Sequence, residues 1–453
     1  MAMSGGSSTS TGTENSSNCI SCSLNNIELS PVKRKNSLLH AGRLMASSVP
    51  KTLGLNLVEL LRKETNVGYS KCQHTISILL TEIRNEIPTI GPVIDEILES
   101  AQSKMDDTSV ENSHDAKRLS VIFSEMAACK DDSQQRSWAL YEDEEIILEY
   151  LEELFSILSK ANASVSRHLI RRENYECVDT LVLYYQMETR STIRNVLLNV
   201  FAALCGLDVL VIDILLNSIL PLELARDIQT DTSDLQKFCY SCVVLTVIFS
   251  TGQELPIQHY DFLNSAFIVF LLSYMENPPW SGVDEDIVDA VLPMILSYNL
   301  HFYQPSDNIV MQVLAEHGAP NELTGKVISL ANRGDDPVKM YPHQENNPNS
   351  VLKFLSDIFS GQATSELIYT NDAKVLIDII AREISNQSPG KLIRTEFLSL
   401  MHLIMKTPSY AEHQHQITEL RKGFLQVFNE DIIEISMDKD IVKQIWKDVP
   451  QFF

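Results

Sequence analysis

The stretch Tyr141–Lys160, YEDEEIILEYLEELFSILSK, decides the fold. Ile147, Tyr150, Leu151, Leu154, Phe155 and Leu158 recur at steps of three and four residues, the spacing that puts side chains on one face of an α-helix. The opposite face is largely Glu and Ser. Asp143, Glu144 and Glu145 crowd the first turns, where the helix dipole favours acids. An apolar stripe of this kind stabilises a helix only when a neighbour covers it. The same period returns in Arg190–Leu204 through Ile193, Val196, Leu197, Val200, Phe201 and Leu204. Asp234–Phe249 is apolar nearly all round in its later half, which predicts a central, buried helix. Further helices are expected to start near Ile257, Val283, Asp307, Glu322, Ser350, Asp372, Lys391, Glu412 and Asp431.

Working outward, the breaks carry stop and start signals: Asn277-Pro278-Pro279, Gly318-Ala319-Pro320, Arg333-Gly334-Asp335-Asp336-Pro337, Gly361-Gln362 and Ser388-Pro389-Gly390. Helix pairs recur every ~35–45 residues, the range of armadillo and HEAT layers. Strand-like alternation is almost absent. At 453 residues the chain exceeds the ~250–300 at which one compact core stops growing. Only 16 glycines and 17 prolines punctuate it, too few for the frequent turns of a sheet protein. The expected fold class is therefore all-α, an armadillo/HEAT-like helical-repeat solenoid over residues 51–453. Residues 1–50 are Ser/Thr-rich, locally basic at Lys33-Arg34-Lys35 and Arg43, and too poor in large apolar groups to offset the entropy of ordering. They are expected to form a disordered tail, with Ser30 and Ser37 as candidate kinase sites. Asn346-Asn347-Pro348-Asn349 marks the candidate joint, near residues 341–349.

The formal charge of −24 and pI near 4.8 exclude nucleic acid as a natural partner and disfavour anionic membranes. They suit a partner with a basic surface. The 8 cysteines are thinly spread, several inside apolar stretches (Cys205, Cys239, Cys242), as for reduced, buried thiols. The apolar runs Phe238–Phe249 and Phe267–Met275 fall short of the ~20 residues that span a bilayer. Asp208 and Asp213 interrupt the longer Val200–Leu216 stretch. With no apolar signal core at the N-terminus, the expected compartment is the cytoplasm, and no transmembrane segment is expected.

No catalytic pattern emerges. Gly390-Lys391 lacks the upstream glycine of a phosphate loop, position 385 being Ser385, and Leu392 stands where a metal-binding Ser/Thr belongs. No enzyme activity and no cofactor are expected. Of the two Cys-x-x-Cys pairs, Cys19/Cys22 lies in the tail and Cys239/Cys242 within an apolar helix; neither is expected to hold zinc. His413-Gln414-His415 is placed at a solvated helix start, also without metal. Ala139-Leu140-Tyr141-Glu142-Asp143 superficially matches the opening of an SH3 domain, but a long helix follows it. Trp138 and Trp280 each follow a polar turn and are expected to anchor loops on the repeat core. Arg333–Pro337 reads as a helix-to-helix connection with Asp335 or Asp336 as N-cap. It also offers exposed charge, so Arg333, Asp335 and Asp336 are the candidate protein-binding residues.

Six words in the chain carry a resemblance: Asp131–Glu144 (DDSQQRSWALYEDE), Tyr184–Glu188 (YYQME), Leu220–Thr232 (LPLELARDIQTDT), Asn332–Val338 (NRGDDPV), Ser350–Leu355 (SVLKFL) and Phe397–His402 (FLSLMH). Together, in this order, they resemble the WISH/DIP/SPIN family, over roughly residues 50–448. The resemblance implies an armadillo-like fold and a protein of the cytoplasm, cytoskeleton and cell cortex. It also implies binding to the actin-related protein 2/3 complex, with actin reached indirectly. Family members switch that complex on without a preformed filament, giving linear filaments that seed branched networks, as in endocytosis. Mammalian members carry an SH3 domain and a proline-rich region ahead of the helical part. Neither precedes it here, so partners recruited through those parts are not expected. The competing expectation is an armadillo-type adaptor that binds basic peptides or signalling proteins without acting on actin.

Overall fold

The computed structural model describes residues 49–131, 143–230, 234–279, 284–342, 348–430 and 436–453. The tail up to Ser48, Trp138, Trp280, Cys19 and Cys22, and residues 343–347 of the expected joint lie outside the described residues. Among the described residues the chain forms α-helices and no β-strand. In order they are α1 (Leu53–Thr65), α2 (Tyr69–Glu86), α3 (Gly91–Gln102), α4 (Asp107–Asn112), α5 (His114–Asp131), α6 (Glu144–Lys160), α7 (Ala163–Ile170) and α8 (Glu176–Met187). Next come α9 (Ser191–Leu207), α10 (Val209–Asn217), α11 (Leu220–Thr230), α12 (Leu235–Phe249), α13 (Ser265–Glu276), α14 (Asp284–Asn299), α15 (Ile309–His317) and α16 (Asn321–Arg333). The last are α17 (Ser350–Ser360), α18 (Gln362–Ser365), α19 (Thr370–Asn386), α20 (Leu392–Met405), α21 (Pro408–His413), α22 (Ile417–Asn429) and α23 (Ser436–Asp448).

The pairings define a solenoid. One column runs α6, α9, α12, α14, α17, α20, α23, each helix packed on the next. Rows flank it: α5, α8, α11, α13 and α15 form one, and α16, α19 and α22 another. Each layer thus covers the apolar face of its neighbours, which is how a chain this long avoids needing one large core. α12 packs on α9, α11 and α14 together, and this is why its sequence is apolar nearly all round. In α6 the stripe Ile147, Leu151, Leu154, Leu158 is buried as its spacing predicts. Phe155 is instead 38% exposed, while Ile157, off the predicted stripe, is buried. Packing against α5 and α9 at once, rather than period alone, sets which side chains are covered.

Helix starts follow local chemistry. Asp234, Asn308 and Asn349 each accept a hydrogen bond from a backbone N–H of the first turn they open. Ile257 opens only a 3-10 turn, Ile257–Asp261, and the α-helix begins at Ser265, where Asn264 supplies the cap. No described helix is long and apolar enough to cross a membrane.

The described residues form two hydrophobic cores. The larger is continuous from Val110 to Phe452. The smaller, Val58, Tyr69, Cys72 and Ala101, belongs to α1–α3 alone. Polar bridges tie this N-terminal unit to the rest, among them Arg62 to Asp115 at 2.6 Å and Lys160 Nζ to Asn66 Oδ1 at 3.1 Å.

His301 sits deep in the larger core. Its ring meets Phe249 edge-on at 5.2 Å; its Nδ1–H donates to the Gln253 carbonyl, and Nε2 has no partner. Burial first, and the nearby His259, lower its pKa to about 4. A folded-state value below the ordinary 6.5 means the unfolded chain takes up this proton first as pH falls. The stability that neutral His301 contributes is therefore complete above pH ~6.5 and is lost as pH drops toward 4. Between pH 7 and 4.5 the wild type should lose about 2 kcal/mol that His301→Phe does not lose. Chemical unfolding of both proteins at the two pH values checks this; parallel losses would refute it.

Candidate protein-binding surface

α16 ends in a left-handed turn. Gly334 adopts φ 71°, and the N–H groups of Gly334 and Asp335 donate back to Ala331 and Leu330 at 3.3 and 3.1 Å. This closes the helix as a Schellman motif, a conformation in which a residue with Cβ is strained. Arg382 on α19 donates to the Asn332 side chain and carbonyl at 3.0 and 3.1 Å, pinning the corner to its neighbour.

The three candidate residues part company here. Arg333 and Asp335 pair with each other at 3.0 Å, each side chain 59% exposed. Asp336 turns inward. Its carboxylate accepts from the Val338 N–H (3.2 Å), the Ser350 N–H (3.0 Å) and the Ser350 hydroxyl (2.5 Å). It therefore secures the start of α17, 14 residues further on, rather than a helix directly following it. Beside it, Glu396 Oε1 accepts from the Asn349 N–H, and burial pushes its carboxyl up against the opposing pull of Lys339. Tyr341 then donates its hydroxyl to the Ala202 carbonyl on α9 at 2.6 Å.

A second polar joint lies close by. The Asp357 carboxylate on α17 accepts from Asn299 (2.7 Å), from Asn308 (3.2 Å) and from Lys353. Burial raises Asp357, and Lys353 only partly offsets it. These contacts couple α14, α15 and α17 in one rigid block.

Other sequence candidates settle into structural roles. Cys239 and Cys242 are free thiols on α12, both pushed up by burial. His413 and His415 do not stand at a helix start. His413 is the last residue of α21 and His415 lies in the link to α22, where Gln414 and Gln416 are left-handed (φ 42° and 57°) and Asp378 holds His415 Nε2 at 2.8 Å. The family-like words Tyr184–Glu188 and Leu220–Thr232 prove to be interlocked: Tyr185 donates to Asp227 at 2.6 Å, and Arg194 meets Asp227 at 2.5 Å. Tyr184, Tyr185, Glu188 and Asp227 are thus buried framework.

One feature escaped the sequence reading. Arg167, His168, Arg171 and Arg172 line a shallow cavity of about 470 Å³ with Ser164. The corner beyond it holds three consecutive left-handed residues, Glu173, Asn174 and Tyr175. Arg171 binds Asp208 at 2.6 Å, and Tyr175 donates to the same carboxylate at 3.0 Å. Burial pushes Asp208 up, but these bonds and the Leu210 N–H outweigh it and hold the carboxyl low. The run Arg167–Arg172 was the available signal; helical period says nothing about a cation cluster in an acidic chain.

The architecture is an all-α helical-repeat solenoid of the armadillo/HEAT kind, presenting polar corners at the ends of its helices. Residues 284–420 match the leucine-rich domain of SPIN90/Ldb17, a match that supports a relationship to the SPIN90/WISH/DIP family. The matched segment runs from α14 into α22 and contains Asn332–Val338, Ser350–Leu355 and Phe397–His402. The chain is also similar to the crystal structure of an engineered protein from the Northeast Structural Genomics Consortium. That match has 12% identity and a TM-score of 0.44, over 90% of this chain and 95% of that one. The family relationship is consistent with a role in actin-related processes.

Proposed function

We propose that this chain binds the actin-related protein 2/3 complex and switches it on without a preformed filament. The products would be linear actin filaments that seed branched networks at the cell cortex. The observation that carries the reading is the leucine-rich domain match over residues 284–420, a segment that the Asp336–Ser350 and Asp357 joints hold as one block. Nucleation is limited by the entropy of holding subunits in filament-like geometry. A rigid surface that prefers the active arrangement of the complex removes that cost by differential affinity alone; moving an equilibrium from 1:99 to 99:1 takes about 10⁴-fold preference. No bond is made or broken, so the function we propose is not enzymatic. The charge of −24 favours a basic face on the partner and speeds encounter more than it adds affinity.

The test is pyrenyl-actin polymerisation with the purified complex, this protein and no filament seeds. Loss of the lag phase, dependent on both components and yielding unbranched filaments, is the expected result. An unchanged lag would favour the armadillo-type adaptor.

Arg333 and Asp335 are proposed contributors to that contact. Replacing both with Ala should weaken binding about 5- to 10-fold, roughly 1 kcal/mol, with the melting transition unmoved. Asp336→Ala should instead cost about 1–2 kcal/mol of stability, because it takes the acceptor from the Val338 N–H, the Ser350 N–H and the Ser350 hydroxyl at the start of α17. Unaltered binding and nucleation in the double variant would remove this corner from the interface.

A further inference from the structure

The arginine cluster on α7 carries surplus charge. Ser164, Arg167, His168 and Arg171 recur at steps of three and four, so they share one face of the helix and its cap, and Arg172 joins them in the lining of the same cavity. Arg167, Arg171 and Arg172 are all exposed. Arg167 Nε donates to the Leu207 carbonyl at 2.5 Å, and Arg171 Nε donates to Asp208 Oδ2 at 2.6 Å. Both side chains are thus anchored on the junction of α9 and α10. A guanidinium held at Nε keeps its Nη groups for a further acceptor, and that fork matches the two oxygens of a carboxylate. Holding the side chain in advance also lowers the entropy lost on binding.

The charge does not balance locally. Among the described residues Asp208 is the one carboxylate paired with these arginines, and it already serves Arg171 and Tyr175. Arg167 and Arg172 form no ion pair among the described residues, in a chain of net charge −24 where acids are plentiful. The corner that follows is strained. Glu173, Asn174 and Tyr175 hold φ of 50°, 57° and 66°, and such runs persist where the surrounding structure over-determines them.

We propose that this corner binds a short acidic segment of a partner protein, its side-chain carboxylates seated on Arg167, Arg171 and Arg172. The surroundings select a narrow ligand. Asp107 and Glu111 stand on one side, 4.0 and 3.7 Å from His168, and Glu173 and Glu176 line the adjoining cavity that Arg172 shares. A bilayer or a duplex would meet those acids and the net negative charge of the chain together with the arginines. A peptide strand meets the arginines alone, and the flanking acids repel anything wider. The cluster lies outside residues 284–420, so this surface is independent of the function proposed above.

Fluorescence anisotropy of a labelled hexaglutamate peptide, titrated with the full chain at low ionic strength, tests the proposal. Saturable binding that weakens as salt is added is expected. Arg172→Glu alters an exposed, unpaired side chain and should weaken binding at least about tenfold with an unchanged melting transition. Arg171→Lys keeps a cation beside Asp208 but loses the fork, and should weaken it about threefold. Lys422→Glu, an equal charge change at an exposed site on α22, should leave the affinity unaltered. Absence of binding would overturn the proposal, as would an affinity indifferent to both arginine variants or a Lys422→Glu loss equal to that of Arg172→Glu. A chain that ignores hexaglutamate but binds a phosphoserine peptide or anionic vesicles through these arginines would overturn it too, in favour of a different anion.

Discussion

Arg394→Ala should lower the folding free energy by about 3–5 kcal/mol, a large fraction of what a domain has to lose. The guanidinium is 1% exposed, at the packing face between α20 and α23. It donates to Glu430 at 2.7 Å, and its Nε stands 3.4 Å from Asp438 Oδ2. Asp438 is itself 1% exposed, and its other oxygen accepts from the Thr395 hydroxyl at 2.5 Å, the Arg394 approach being an ion pair without a hydrogen bond. Removing the cation strands this carboxylate in the core, and the cost comes from the uncompensated charge more than from the lost attraction. Arg394→Met combined with Asp438→Leu should therefore recover a substantial part of the loss, because neither charge remains. Denaturant unfolding midpoints for the single and double variants decide the matter. A single variant within about 1 kcal/mol of wild type would mean that water already reaches the pair.

The second large effect is steric. Gly54 on α1 lies so close to α3 that a Cβ there would stand 2.3 Å from both the Ala101 nitrogen and the Ile97 carbonyl oxygen. Backbone cannot rotate away as a flexible side chain can. Gly54→Ala must therefore push the two helices apart and break the Gly54 N–H bond to the Ser100 hydroxyl at 3.2 Å. A core of Val58, Tyr69, Cys72 and Ala101 has little to spare, and overpacking of this kind costs about 3 kcal/mol. The damage should stay local. Exchange protection should fall across residues 53–102 and persist in α9, α12 and α14, whose core is separate. Loss of protection throughout the chain would show that the two cores fold as one unit; an unchanged pattern would show that α1 and α3 tolerate separation.

Much of this architecture was legible before any coordinates. The three- and four-residue steps of Tyr141–Lys160 and Arg190–Leu204 become α6 and α9, and the all-round apolarity of Asp234–Phe249 becomes the crowded centre of the column. The near-misses share a cause. Ile257 resembled a helix start because its neighbours are apolar, yet it is 88% exposed in a 3-10 turn, and Asn264 determines where α13 begins. His413 closes α21 and His415 falls in the link because two left-handed glutamines end one helix and open the next, and side-chain periodicity carries no record of backbone handedness.

The candidate surface divides along the same line. That Arg333–Pro337 is a turn between helices follows from Gly, Asp and Pro chemistry, which acts over a few residues. That Asp336 serves Ser350, that Asp357 gathers Asn299 and Asn308, and that Arg394 meets Asp438 are pairings across 14 to 58 residues that no local signal encodes. By itself the sequence determined helix class, repeat spacing, net charge and the family-like words, because these depend on periodicity and composition along the chain. Only the tertiary structure decided which charges are exposed at the 333–337 corner, which are consumed inside, and which arginines of the 167–172 cluster stay unpaired. Burial is a property of what packs against a residue, and in a solenoid that neighbour arrives a full layer later in the chain.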